Sequence, residues 1–106
     1  MVGEITPTQF EARRKAGSAA LLLDVRDDWE LSIATVPEVV HVPMGEIARR
    51  LGELDPEREI VVLCRSGRRS LEVARFLERS GFKSVANLTG GILAWSRELD
   101  PSIPEY

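Results

Sequence analysis

The residues best suited to chemistry in this 106-residue chain lie in one stretch, Leu63-Cys64-Arg65-Ser66-Gly67-Arg68-Arg69-Ser70. The apolar run that precedes it, Ile60-Val61-Val62-Leu63, is typical of a buried strand, and it ends at the chain's single cysteine. A helical pattern begins near Arg69. We therefore expect a thiol at the tip of a strand, facing the N-terminus of a helix.

Such a position favours a thiolate. A helix N-terminus offers partial positive charge and unpaired backbone N–H groups, and a tight loop with a glycine forms a concavity that binds anions. Arg65, Arg68 and Arg69 add three full positive charges. Surroundings of this kind lower the pKa of a cysteine by roughly one to several units. A buried structural cysteine is the alternative, but three arginines and a glycine make a poor core and a good anion cradle.

Composition narrows the possible functions. The length predicts a single domain over residues 1–106, and 43% hydrophobic residues are enough for a small core. Fourteen basic and 17 acidic residues give a net charge of −3, so we expect neither a nucleic-acid nor a membrane partner. One cysteine excludes an intramolecular disulfide and a metal site built on several cysteines, and a single histidine argues against a zinc site. With no signal peptide evident at the N-terminus, we expect a cytoplasmic protein and, by default, a monomer.

The hydrophobic pattern alternates strands with helices. Thr6, Pro7 and Gln9 predict a capped helix that runs to about Lys15, and the apolar run 19–25 predicts a strand buried on both faces. Further amphipathic helices are predicted over 44–54 and 69–80, with shorter ones after Asp27 and after Gly91. This order predicts a three-layer α/β domain with a mainly parallel sheet of about five strands.

Three polar residues close to predicted strand ends have open roles. Asp24 and Arg26 lie at the edge of the sheet where ligands usually bind. Asp24 is placed to bond backbone groups near the site, and Arg26 to pair with Glu30 or to reach the site, but we favour a structural ion pair. His41 lies on a short strand, and a structural role is more plausible there than service as a base for Cys64.

The segment 64–70 resembles the active-site loop of rhodanese domains, Cys-x-x-Gly-x-Arg-Ser. Leu23-Asp24-Val25-Arg26 is similar to the first core strand of that family, and Leu88-Thr89-Gly90-Gly91-Ile92-Leu93-Ala94-Trp95 is similar to its C-terminal signature. The resemblance implies a three-layer α/β/α rhodanese-like fold with Gly90 and Gly91 beside the cysteine loop. Residues 33–37 depart from the family, which has a glycine there, so we expect an unusual backbone in that segment.

The resemblance also implies a reaction. It makes Cys64 the catalytic nucleophile of a sulfurtransferase that takes a sulfane sulfur from thiosulfate or a persulfide, without a cofactor, and passes it to a thiol or other acceptor. The substrate would bind to the loop residues, with Arg69 partly bracing the loop; they are Arg65, Ser66, Gly67, Arg68 and Arg69. The tail 100–106 resembles rhodanese modules fused to E1-like adenylyltransferases, which suggests a sulfur-carrier protein as partner.

Two other functions stay open. Related phosphatases and arsenate reductases use Cys-x5-Arg, whereas Cys64 and Arg69 are spaced as Cys-x4-Arg, a smaller loop for a tetrahedral oxyanion. A non-catalytic interaction module is the third hypothesis, although inactive rhodanese-like domains usually lack the cysteine that this chain keeps.

Overall fold

The computed structural model describes all 106 residues and contains one five-stranded sheet flanked by helices. The strands are all parallel and lie in the order β1-β5-β4-β2-β3, with bounds β1 Gly3–Ile5, β2 Leu21–Asp24, β3 Val39–His41, β4 Ile60–Leu63 and β5 Val85–Leu88. Four α-helices accompany them: α1 Pro7–Lys15, α2 Asp28–Ile33, α3 Arg68–Arg79 and α4 Gly91–Glu98. The predicted parallel sheet of about five strands is confirmed.

Alternation along the central strand β4 divides the core into two layers. Val62 and Cys64 point to the face covered by α3, where they pack with Val73 and Leu77. Val61 and Leu63 point to the opposite face, in a second cluster that includes Phe10 of α1 and Ile92 and Trp95 of α4. Successive side chains of a strand face opposite sides of the sheet, so a continuous apolar run fills both clusters. The predicted three-layer α/β/α arrangement is confirmed.

Helix α1 begins as its sequence predicts. The Gln9 backbone N–H donates to Thr6 Oγ1 at 3.1 Å, and the Thr6 N–H donates to Gln9 Oε1 at 3.0 Å. This capping box satisfies two of the backbone donors that a helix leaves unpaired at its start. Pro7 occupies the first turn, where its missing N–H costs nothing, and Gly17 follows the helix with φ 98°.

The amphipathic helix predicted over 44–54 is wrong. The segment instead forms two short 3₁₀ helices, Met44–Glu46 and Leu51–Glu53, joined by turns. Gly45 and Gly52 fall inside the predicted helix, and each glycine costs about 1 kcal/mol relative to alanine there. The apolar positions still face the core, and the predicted pair of Glu46 and Arg50 forms at 3.1 Å. The apolar periodicity therefore predicted correctly which side chains are buried, but it predicted the wrong backbone conformation.

The unusual backbone expected within 33–37 lies one residue further along. Glu38 is the only residue other than glycine with a positive φ, at 60°, just before β3 begins. Helix α2 ends at Ile33, and Ala34 and Val36 point into the core. None of the helices is long and apolar enough to cross a lipid bilayer.

Candidate active site

Cys64 lies directly after β4, at the base of a loop that folds back over its own thiol. The residue is only 1% exposed, and the Gly67 backbone N–H donates to Cys64 Sγ at 3.1 Å. Gly67 has φ 103° and immediately precedes α3, so it turns the chain from the loop into the helix. A side chain is strained in this conformation, which explains the glycine.

The backbone N–H groups around the thiol are unused. Those of Arg65, Ser66, Arg68 and Arg69 donate to no other group of the protein. Two of them belong to the loop and two to the first turn of α3, where the helix dipole adds partial positive charge. An anionic atom close to Sγ would therefore find several donors from one short segment.

Helix α4 orients the loop from the other side. The Ile92 N–H donates to the Cys64 carbonyl oxygen at 2.9 Å, and the Leu93 N–H donates to the Arg65 carbonyl oxygen at 3.1 Å. No peptide bond is cis, and in a planar trans peptide the N–H points away from the preceding carbonyl. The N–H groups of Arg65 and Ser66 must therefore point away from α4.

This contact requires a glycine at position 91. A Cβ atom there would lie 2.5 Å from the Cys64 carbonyl oxygen and 2.4 Å from that of Arg65, closer than any real contact. Gly91 also has φ 62°. The predicted close approach of the Gly90-Gly91 turn to the cysteine loop is confirmed.

A buried chain of hydrogen bonds leads away from the thiol. The Cys64 thiol donates to Ser70 Oγ at 3.2 Å, and the Ser70 hydroxyl donates to Asn87 Oδ1 at 2.5 Å. The amide of Asn87 is held in this orientation because its Nδ2 donates to the Gly67 carbonyl oxygen at 3.2 Å and to Glu4 at 3.3 Å. The two protons of this chain therefore each have one direction, from the thiol to Ser70 and from Ser70 to Asn87.

Arg69 braces the loop through a buried carboxylate. Its two terminal nitrogens donate to the two oxygens of Glu30, each at 2.7 Å, in a bidentate pair. Glu30 is 2% exposed and also accepts from the Tyr106 hydroxyl at 2.7 Å. The hydrogen bonds from Arg69 lower the pKa of Glu30 to about 2 although burial opposes this. The same pairing raises the pKa of Arg69 above its usual value.

The remaining candidates near the strand ends are structural. Arg26 is fully buried, and its Nη2 donates to Asp24 Oδ2 at 2.7 Å, so the favoured structural ion pair forms, but with Asp24 as the partner and not the Glu30 carboxylate. Burial acts to lower the pKa of Arg26, but hydrogen bonds to Asp24 and Tyr106 outweigh it and raise that pKa. His41 Nε2 lies 2.6 Å from the Arg26 carbonyl oxygen and does not contact Cys64. The structure brings none of the three to the thiol.

The other two loop arginines differ in their surroundings. Arg65 donates from Nε to the carbonyl oxygen of Tyr106, and its guanidinium lies 5.2 Å from the centre of the Tyr106 ring. Arg68 makes no hydrogen bond or ion pair and is exposed. Arg68 is therefore the loop arginine that is free to meet an anion arriving from solvent.

Comparison with known proteins agrees with this geometry. The sequence pattern of the Rhodanese-like domain family matches residues 6–98, which is most of the chain. The chain belongs to the rhodanese-like domain family. A solved rhodanese-like domain protein from Staphylococcus aureus superimposes with a TM-score of 0.85 at 25% identity, covering 99% of each chain.

Sequence relatives of this rhodanese-like domain include proteins of similar length. YtwF of Bacillus subtilis (strain 168) is 38% identical over 100 residues, covering 94% of this chain and 96% of YtwF. A protein of Allochromatium vinosum named sulfurtransferase is 36% identical over 97 residues, covering 92% and 91%. The adenylyltransferase and sulfurtransferase MOCS3-1 of Zea mays is longer: the match is 31% identical over 109 residues, and this chain spans 23% of it. Sulfur transfer is thus the activity named among the relatives.

Sequence reasoning missed three residues of this rhodanese-like domain's site. Glu30 was considered as a partner of Arg26, whereas its carboxylate binds Arg69, 39 positions away. The sequence predicts Asn87 only as part of a strand and Tyr106 only as part of a tail, whereas Asn87 accepts a hydrogen bond from Ser70 and Tyr106 donates one to Glu30. Glu30 carries one local signal, because it stands three residues after Asp27 and accepts its N–H at 2.9 Å, as in a capping box. No local signal marks Asn87 or Tyr106.

Replacing Gly91 by alanine should damage the site more than the backbone strain alone explains. Gly17 supplies the control, because it also has a positive φ but no atom within 4 Å of an added Cβ. We expect Gly91→Ala to cost about 1–3 kcal/mol more than Gly17→Ala in urea unfolding, the usual cost of overpacking. Only Gly91→Ala should also reduce sulfur transfer. Equal effects of the two substitutions on stability and activity would contradict the role given to α4.

The pair of Glu30 and Arg69 should make stability depend on pH. The pKa of Glu30 is about 2 in the folded protein and near 4.5 when unfolded, so its stabilisation is complete above about pH 4.5 and is lost as the pH falls towards 2. The advantage of the parent over Glu30→Gln in free energy of unfolding should shrink by roughly 3 kcal/mol across that range. Urea unfolding of both proteins from neutral pH downwards measures it. A constant difference would show that the carboxylate is not held ionised by Arg69.

Proposed function

We propose that this rhodanese-like domain is a sulfurtransferase that moves a sulfane sulfur from thiosulfate or a persulfide to a thiophilic acceptor through a persulfide on Cys64. The observation that carries the proposal is the hydrogen bond from the Gly67 N–H to Cys64 Sγ at 3.1 Å, in a segment where the N–H groups of the two residues on either side of Gly67 donate to nothing. An outer sulfur bonded to Sγ would lie beside this segment, whose unpaired N–H groups are available to it. They suit a substrate and an intermediate that both carry negative charge.

The first half-reaction forms one S–S bond and breaks another. The Cys64 thiolate attacks the outer sulfur of thiosulfate, and sulfite leaves with the electron pair of the old S–S bond. The charge on the enzyme moves from Sγ to the outer sulfur of the persulfide, towards the free N–H groups. In the second half-reaction an acceptor nucleophile attacks that outer sulfur, and Sγ leaves as the thiolate.

Neither half-reaction needs a nearby histidine. Sulfite is a stable anion and leaves without a proton, so no general acid has to serve it. The only histidine is held by the Arg26 carbonyl oxygen, away from Cys64. A hydrolase that expels an alcohol or an amine would need an acid close to the thiol. The surroundings of Cys64 therefore favour sulfur transfer over cysteine-based hydrolysis.

The loop arginines divide the remaining work. Arg68 attracts the anionic donor, because it is exposed and unpaired. Arg69 holds the start of α3 through Glu30. Arg65 contacts Tyr106 and shapes one side of the loop entrance. The backbone of Arg65, Ser66, Gly67, Arg68 and Arg69 then binds the transferred sulfur.

The acceptor is also a proposal. The similarity to YrkF of Bacillus subtilis (strain 168), which is named as a sulfur carrier protein, supports a sulfur-carrier protein as acceptor, and a small thiol is the alternative. A single free thiol that must stay reduced between turnovers suits a reducing compartment, and we propose the cytoplasm.

Replacing Cys64 by serine should abolish the reaction and leave the fold intact. A serine hydroxyl is not ionised near neutral pH, so no covalent sulfur intermediate can form. After exposure to thiosulfate, mass spectrometry should show one added sulfur atom on the parent, removable by cyanide, and none on Cys64→Ser. Thermal unfolding of both proteins is the control for folding. An added sulfur on the variant, or hydrolysis of aryl phosphates by a parent that ignores thiosulfate, would overturn the proposal.

Arg68→Ala should weaken the use of thiosulfate more than Arg65→Ala does. Arg68 is the unpaired charge at the loop, and an exposed charge-assisted contact accounts for roughly a tenfold effect at most. We expect a higher KM for Arg68→Ala with little change in kcat, and added salt should reproduce part of the defect in the parent. Steady-state kinetics at several salt concentrations, with Arg13→Ala as a surface control, tests this. Identical behaviour of Arg68→Ala and Arg13→Ala would remove Arg68 from the substrate site.

A further inference from the structure

Three arginines of the domain have no partner, and all of them belong to α3. Every other arginine forms a hydrogen bond or an ion pair with a carboxylate or a carbonyl oxygen, whereas Arg68, Arg75 and Arg79 form neither. All three are exposed. In a chain with a net charge of −3, this concentration of unpaired positive charge on one element stands out.

The three arginines form a row. They are seven and four positions apart, so at about 100° per residue they lie on one face of the helix and span roughly 16 Å along it. The row begins at Arg68, in the cysteine loop, and runs away from the site along the surface. Glu72 is the single acidic residue on the same face, one turn after Arg68. We refer to Arg68, Arg75 and Arg79 as the arginine row.

An apolar groove lies along the far part of this row. It has a volume of about 500 Å³ and separates α3 from the segment 44–48. Its apolar lining is Met44, Ile47, Ala48, Val73 and Phe76, and Glu72, Arg75 and Arg79 complete its walls. Met44 follows β3 and Cys64 follows β4, so both lie at the carboxyl edge of the parallel sheet. The groove therefore starts at the edge of the sheet that carries Cys64.

We propose that the arginine row and this groove bind an extended, acidic segment of a partner protein while that partner exchanges sulfur with Cys64. The inference rests on the proposed sulfurtransferase function and adds the chemistry of the partner. An extended chain covers about 3.3–3.6 Å per residue, so some five residues reach from Arg68 to Arg79. Acidic side chains would pair with the arginines, and one apolar side chain would enter the groove.

Positive charge beside an apolar groove favours a protein segment over a nucleic acid or a membrane surface. A nucleic acid offers phosphates but no aliphatic side chain for a groove lined by Met44, Ile47 and Phe76. An anionic membrane is bound by apolar side chains that protrude into it, whereas this apolar surface is concave. The free guanidinium groups match carboxylates, and surface charge of this kind mainly speeds the encounter between partners.

The test compares two peptide sulfur acceptors that differ only in charge, with a small thiol as the reference acceptor. The parent, loaded with sulfur from thiosulfate, is mixed with 2-mercaptoethanol or with one of two eight-residue peptides that carry a cysteine at one end. One peptide contains glutamates and a single leucine, and the other has glutamine at each glutamate position. The variants are Arg75→Gln with Arg79→Gln, and a control with the same charge change on α1, Arg13→Gln with Lys15→Gln, on the opposite face of the sheet.

The parent should transfer sulfur to the acidic peptide faster than to the glutamine peptide, and salt should remove the difference. The α3 double variant should lose roughly fivefold of the rate with the acidic peptide. Its rate with 2-mercaptoethanol should be unchanged, and the control variant should match the parent with all acceptors.

An α3 variant that matches the parent with the acidic peptide would overturn the docking proposal. So would a dependence on these arginines for binding phosphatidylglycerol vesicles without any preference for the acidic peptide. A parent that takes up no sulfur would instead overturn the proposed function itself.

Discussion

The site depends on two hydrogen bonds between the start of α4 and the cysteine loop. Ile92 and Leu93 hold the carbonyl oxygens of Cys64 and Arg65, and the planarity of the peptide then fixes where the N–H groups of Arg65 and Ser66 point. A side chain would set the directions of these N–H groups less firmly, because the peptide unit is planar and departures from planarity are costly. Gly91 permits the approach, so the C-terminal signature and the cysteine loop act as one unit although they are distant in sequence.

Charge pairing follows from the same need to keep the loop in one conformation. Three arginines within five positions would repel one another and pull the loop towards solvent. Glu30 removes one of them from the solvent side by binding Arg69 with both oxygens, and the Tyr106 hydroxyl and the Asp27 N–H use its remaining capacity. A buried carboxylate with this many donors stays ionised. The start of α3 is thus held in place by a carboxylate that binds Arg69 and makes no contact with the thiol.

The features that the sequence predicted correctly are those that depend on residues close together in the chain or on a family motif. The capping box of Thr6 and Gln9, the buried strands and the close approach at Gly91 all follow from spacing or from the family resemblance. The α-helix predicted over 44–54 is wrong because apolar periodicity indicates only which side chains are buried. Two 3₁₀ helices with turns bury Ile47 and Leu54 as an α-helix would. The partner of Arg69 could not be predicted, since Glu30 reaches it only after two strands have paired.

The division of labour among the loop arginines is a consequence of helix geometry. Arg68 and Arg69 are adjacent, and adjacent residues of an α-helix point about 100° apart, so they cannot serve the same surface. Arg69 points to Glu30 and is half-buried, whereas Arg68 points outward and shares its face with Arg75 and Arg79. The helix that begins with unpaired N–H groups next to the cysteine loop therefore also carries the positive surface beside that loop. In the proposed reaction the loop binds only the transferred sulfur, so larger partners have to be recognised outside it, and the outer face of α3 is the charged surface that leads directly to the loop.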